Sequence, residues 1–154
     1  MKIENNYMIK PFTALRFDRP WGYYGLYSDN EQCTCKVLYV YKNEMLSMQY
    51  HFQRDQFYLV MDDGFTIEYS KIPIPQYIID DTDEEKRFRN TEDFLKENLV
   101  TVEASEGDMF GFRRLVVHRA FYKGNKDIGR ILDIAFGYND EEDIIRIKDK
   151  YNRK

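Results

Sequence analysis

Residues 46–57, LSMQYHFQRDQF, put hydrogen-bonding and ligand-type side chains at every second position. With the period of two that a β-strand imposes, Ser47, Gln49, His51 and Gln53 share one face, and Leu46, Met48, Tyr50 and Phe52 share the other. None of the four polar residues is charged. A solvent face usually favours Lys, Glu and Thr, so this row predicts a polar face turned inward, towards a site. Gln49 and His51 point the same way, as two ligands of one ion must. A neutral imidazole and an amide oxygen both bind divalent ions. The chain's other histidine is His118.

The elements that must position these residues are mainly strands. Alternating, β-branched and aromatic-rich runs predict strands over 33–42, 46–53, 56–61, 65–72, 99–104, 107–112, 116–122 and 130–138. Turn signals separate them: Asn43, able to take positive φ, and the Asp62-Asp63-Gly64 hairpin signal. The stretch RPWGYY, 19–24, reads as a turn leading into an aromatic strand, and residues 1–18 as an extended arm. Residues 73–99 break the pattern with two prolines, an acidic run and a helical stretch capped by Thr91, so they read as an insertion between strands. A final helix is predicted near 140–150, with Asn139 as its N-cap and Asp140, Glu141 and Glu142 in its first turn. About eight short strands with a terminal helix predict an all-β jelly-roll barrel.

The chain of 154 residues suits one domain, 19–154 after the arm. Its 13 Tyr and 11 Phe favour sheet over a helical bundle. A formal net charge of −4 with both signs interspersed lacks the basic footprint of a nucleic-acid binder. Without an 18-residue apolar run or an apolar N-terminal segment, a soluble, cytoplasmic protein is expected. Cys33 and Cys35 fall on one strand face, poorly placed for a disulfide within a regular strand, and no second pair completes a zinc site.

Three segments carry a resemblance to a known family. RPWGYY resembles the RPWG signature of the type II mannose-6-phosphate isomerase domain, a member of the cupin superfamily. LSMQYHFQRDQFYLV is similar to that family's LSLQ-x-H-H-H-R-x-E-H-W-x-V motif, and EEDIIRIKDKYNR, 141–153, to its closing EDDIVR-x-x-D-x-YGR. The resemblance implies a double-stranded β-helix, the cupin barrel. It implies a metal quartet of Gln49, His51, Gln56 and His118, with Asn43 and Gly107 in the turn-glycine places, and a divalent ion such as Zn, Mn or Co. It also implies that Arg54 and Arg119 face a sugar phosphate together with Gln53, and that Asp133 and Arg54 are candidate catalytic groups. The implied activity is interconversion of mannose 6-phosphate and fructose 6-phosphate. Pairing of two copies through their sheets, and the absence of the guanylyltransferase domain of bifunctional members, are further expectations.

Several positions depart from the pattern. The family's Glu ligand is Gln56, so the site loses its one formal negative charge and should hold a cation more weakly. Phe52 and Gln53 replace two positions of the histidine run, Arg113-Arg114-Leu115 replaces a Pro-x-Gly turn, and Ala135 replaces a Gln. Arg113 and Arg114 read as surface residues, and Arg146 and Lys148 as rim residues or solvated charges. A second reading follows: a non-catalytic cupin that binds a sugar phosphate or nucleotide sugar, its metal replaced by a hydrogen-bonded polar core.

Overall fold

The computed structural model describes residues 14–30, 32–137 and 141–153. Residues 1–13 of the expected arm, and Asn139 and Asp140 of the expected helix cap, lie outside them. Eleven strands are seen among the described residues: β1 Leu15–Arg19, β2 Gly22–Asp29, β3 Cys33–Tyr41, β4 Met48–Tyr50, β5 Arg54–Val60, β6 Phe65–Ser70, β7 Leu99–Ala104, β8 Met109–Phe112, β9 His118–Tyr122, β10 Ile128–Gly137 and β11 Ile145–Lys148. Helices α1 Gln76–Ile79 and α2 Glu84–Asn98 fill the gap between β6 and β7.

The strands form two antiparallel sheets. One has the order β1-β2-β3-β10-β5-β8, the other β11-β4-β9-β6-β7. Strands far apart in sequence pair, as β3 and β5 do with β10 and β4 does with β9, which is the interleaving of a double-stranded β-helix. Inward positions of both sheets close a core that includes Trp21, Leu38, Val40, Tyr58, Phe65, Ile67, Phe112, Tyr122 and Ile131. Asn43, at φ 64°, and Gly107, at φ 94°, adopt the left-handed conformation their turn places demand. Leu115 does so too, at φ 66°, where the family pattern has glycine. Its N–H donates to the His51 carbonyl at 2.8 Å, and its own carbonyl accepts from Ile74 at 2.8 Å.

The insertion is a second layer. Ile74 and Ile78 from its first half, and Phe94 and Leu95 from α2, pack on Met48, Tyr50 and Val117. The α2 helix begins earlier than the sequence suggested: Asp83, not Thr91, is the N-cap, accepting from Lys86 N–H, with Glu84 and Glu85 in the positive first turn. Thr91 instead lies inside the helix and bonds back to the Arg87 carbonyl.

Two expectations are corrected. The helix near 140–150 is a 3-10 turn, Glu141–Asp143, followed by β11. Ile145 and Ile147 both pack towards the insertion's core, and pairing with β4 satisfies the backbone that a helix would have served internally. The predicted strand 46–53 is regular only over Met48–Tyr50. Leu46 packs inside the barrel while Met48 and Tyr50 pack outside, so the alternation breaks between them.

Candidate functional site

The site is built where β4, β5, β9 and β10 meet. Gln49 lies in register with His118, the first residue of β9. His51 follows β4 directly. On β5, the period of two sends Arg54, Gln56, Tyr58 and Val60 inward, all buried. Asp133 projects inward from β10, in register with Tyr58 on one side and Lys36 on the other. Tyr58 and Phe112 wall the cluster, the latter stacked on the His118 ring at 4.4 Å between centroids.

Gln56 is the hub. Its Oε1 lies 3.1 Å from His51 Nε2 and 2.8 Å from His118 Nε2, and its Nε2 donates to Asp133 Oδ1 at 2.8 Å. Gln49 Nε2 lies 3.5 Å from His51 Nε2, and Gln49 Oε1 accepts from the Ser47 hydroxyl at 2.7 Å. The rear of each imidazole meets a main-chain carbonyl: His51 Nδ1 that of Asp143 at 3.1 Å, His118 Nδ1 that of Val116 at 3.0 Å.

Each ring meets a main-chain carbonyl at Nδ1 and the Gln56 amide at Nε2, so its tautomer depends on which contact takes the proton. A main-chain carbonyl cannot turn over as an amide can, so a neutral ring that keeps its rear hydrogen bond carries its proton on Nδ1 and presents a lone pair at Nε2. Both rings are neutral near pH 7. Burial, then the neighbouring His118 and Arg54, push the His51 pKa down to about 2. Burial, aided by Arg54, pushes that of His118 down to about 4 despite its bond to Val116. In that state two imidazole lone pairs and the Gln56 amide oxygen converge with no proton among the three, the Gln49 amide lying 3.5 Å from His51 Nε2. Two arrangements satisfy such a trio. One places a cation among the three acceptors, each Nδ1–H anchored behind its ligand atom. The other turns the Gln56 amide over, so that its NH2 donates to both rings and its oxygen accepts a hydrogen bond from a protonated Asp133. Burial raises the Asp133 pKa, in the direction the second arrangement needs. Amide orientation follows from the surrounding network, so the protons decide between the two.

The donor set fits a divalent ion of borderline softness, with two imidazoles and an amide. It contains no carboxylate, and no three His, Cys, Asp or Glu side chains gather into a metal-binding group among the described residues. Beside it lies a cavity of about 70 Å3, lined by Trp21, Tyr24, Gln49, Gln56 and Asp133 and by five cationic side chains, Arg19, Lys36, Arg54, Arg146 and Arg153. Arg153 is paired with Asp149, and Lys36 stands over the Tyr24 ring at 5.0 Å.

Of the residues expected at the site, Gln49, His51, Gln56, His118, Arg54 and Asp133 come together. Arg119 and Gln53 do not. Arg119 follows His118 in a regular strand, so it must face the other way; it pairs with Glu68 on the outer side of the sheet. Gln53 is exposed in the turn after β4, where its N–H donates to Asp143. Sequence reasoning missed Asp143, Arg19 and Lys36. The signal for the first two was present, because both lie within quoted motifs, but no periodicity pointed them inward. Arg146 lines the cavity, whereas Lys148 pairs with Glu92 of α2.

Residues 11–75 match the family model described as mannose-6-phosphate isomerase C-terminal, a stretch that includes Gln49, His51 and Gln56 but not His118. The comparison with curated proteins gives no match. Among solved structures, the capsular polysaccharide assembling protein CapF from Staphylococcus aureus is similar at TM-score 0.62 and 10% identity, over 90% of this chain and 33% of that one. KdgF from Halomonas sp. is similar at TM-score 0.57 and 12% identity, over 83% of this chain and 90% of that one. A protein from Planctomyces limnophilus is similar at TM-score 0.56 and 14% identity, over 85% and 88%. The chain thus spans about a third of the CapF chain, and at these identities the likeness concerns the fold. Two interleaved sheets around an inward His–Gln cluster give the chain a cupin-type fold, and residues 11–75, which carry most of that cluster, are similar to the mannose-6-phosphate isomerase C-terminal family.

Proposed function

We propose that this protein is an aldose–ketose isomerase of the cupin type, acting on mannose 6-phosphate and fructose 6-phosphate with a divalent ion such as Zn, Mn or Co. The observation that carries the reading is the convergence of His51 Nε2, His118 Nε2 and Gln56 Oε1 beside a cavity ringed by cations. These three residues would hold the ion, with Gln49 at their border. When bound, the ion would polarise the substrate's C1 and C2 oxygens and so ease enediol formation. Arg54, Arg19 and Lys36 supply the charge that a phosphate needs, the guanidinium forks matching its oxygens. The cavity admits an ion and a few waters but not a hexose, so the sugar ring lies at its mouth. Asp133, a carboxyl in the lining of that cavity, would carry the proton between C1 and C2. CapF, described as a capsular polysaccharide assembling protein, agrees with a carbohydrate setting.

A second reading is favoured by the burial of Asp133, which raises its pKa towards the protonated form that a reversed Gln56–Asp133 hydrogen bond needs. If the amide is turned and Asp133 is protonated, the polar cluster is complete without an ion, and the protein binds a sugar phosphate or nucleotide sugar without converting it. Incubating the protein with mannose 6-phosphate and each of the three ions, and following fructose 6-phosphate, separates the two. Conversion that is lost in His118→Ala and Arg54→Gln supports the isomerase. Binding of the sugar phosphate without conversion under any ion supports the second reading.

A further inference from the structure

One residue from the closing segment organises the whole stretch after β4. Asp143, 4% exposed, accepts through Oδ1 from Phe52 N–H at 2.9 Å and through both carboxylate oxygens from Gln53 N–H at 3.2 Å. Its main-chain carbonyl receives His51 Nδ1 at 3.1 Å. Three consecutive residues, 51 to 53, are thus held by one residue some 90 positions later. The charge of a buried carboxylate makes its two N–H bonds strong. They lock the turn relative to the Asp143 backbone, and the locked backbone in turn presents its carbonyl to the ring.

We propose that Asp143 is the positioning residue that sets the tautomer of His51: its carboxylate anchors the turn after β4, and its own carbonyl thereby holds the proton on Nδ1 and leaves Nε2 aimed into the site. The two tautomers of a neutral imidazole are close in energy, so the partner of one nitrogen decides the state of the other. His118 takes its carbonyl from Val116, two residues back on its own chain, and owes nothing to Asp143. It is an internal control. The closing segment thereby gains a role that strand pairing alone does not give it: β11 holds β4 in place, and the turn just before β11 holds the ligand's proton. The inference rests on hydrogen-bond geometry and stands whether or not the chain isomerises a sugar.

With two histidines in the chain, a long-range 1H–15N correlation spectrum of the metal-free, 15N-labelled protein at neutral pH reads each ring separately. Wild type is expected to show the Nδ1–H form for both rings. In Asp143→Ala, His51 is expected to shift to a mixture with a majority of Nε2–H, His118 staying as in wild type. Asp143→Asn, which keeps one acceptor oxygen, is expected to give a smaller but measurable Nε2–H fraction on His51 alone, and it carries the test if the alanine variant does not fold. As a second readout, zinc affinity should fall about 10- to 100-fold in Asp143→Ala, the usual effect of losing a ligand's outer partner. The proposal is overturned by an Nε2–H His51 in wild type, by an unchanged His51 in the folded variants, or by equal changes in both rings.

Discussion

At the scale of single residues, the site turns on the substitution of an amide for a carboxylate. Gln56 lies between both histidines and Asp133, so Gln56→Glu adds a negative charge where three acceptors already meet. The variant is expected to bind zinc at least tenfold more tightly than wild type by calorimetric titration, about 1.4 kcal/mol; equal affinity would show that the trio is not a cation site. The histidines also set a pH dependence in the metal-free protein. Their folded pKa values, about 2 for His51 and about 4 for His118, lie below the ordinary 6.5 of an unfolded chain. Between about 6.5 and 4 the unfolded state therefore binds more protons, and stability is lost as pH falls. Each ring contributes on the order of 2 kcal/mol between pH 6.5 and 5. Asp133 works the other way at the acid end, since its raised pKa lets the folded state take up a proton first. Denaturant midpoints measured at pH 7 and pH 5 should fall together with pH, and the fall should shrink in His118→Gln.

Among the elements, the strands were legible because alternation survives wherever one face is buried and the other is not. The site on β5 follows from that rule, as does the displacement of Arg119 from the site: a one-residue step along a strand reverses the face, and a match to a family motif does not override it. What alternation could not give is β4, where α1 and α2 bury the outer face as well, so that polar and apolar residues are both inside. The 140–150 stretch misled for a different reason. Its acidic start mimics a helix N-terminus, but Asp143 uses its carboxylate on the turn after β4, and the residues that follow pair as a strand. The insertion is a structural layer in its own right. Phe94, 6% exposed, joins α2 to Met48 and Val117, so Phe94→Ala should cost about 3–5 kcal/mol in urea unfolding. A similar clamp joins two loops at the far end of the barrel. Asp62, 2% exposed, accepts from Arg130 N–H at 3.0 Å, from its Nε at 2.8 Å and from Lys126 at 2.6 Å. Removing its charge with Asp62→Asn should destabilise by about 1–3 kcal/mol, less than a dry ion pair would give because both cations reach solvent.

For the whole molecule, the fold gathers Arg19, Lys36, Arg54, Arg146 and Arg153 from separate parts of a chain whose formal net charge is −4. Overall charge therefore says little about the ligand, and the local ring of cations says more. Mannose 6-phosphate should raise the melting temperature and mannose should not, the rise growing with ligand concentration and shrinking with salt; equal shifts for the two sugars would show that the phosphate is not recognised. Most of this convergence was hidden in the sequence because the cations lie on different strands and near the C-terminus, and only the topology brings them to one mouth. We propose that His51, His118 and Gln56 form a cation site. Its most direct test is metal analysis of the full chain after equilibration with zinc and removal of free ion. One bound ion per chain is expected, lost in His51→Ala and in His118→Ala while both variants remain folded; a wild type that retains no ion, or a His118→Ala variant that retains as much as wild type, would rule the cation site out.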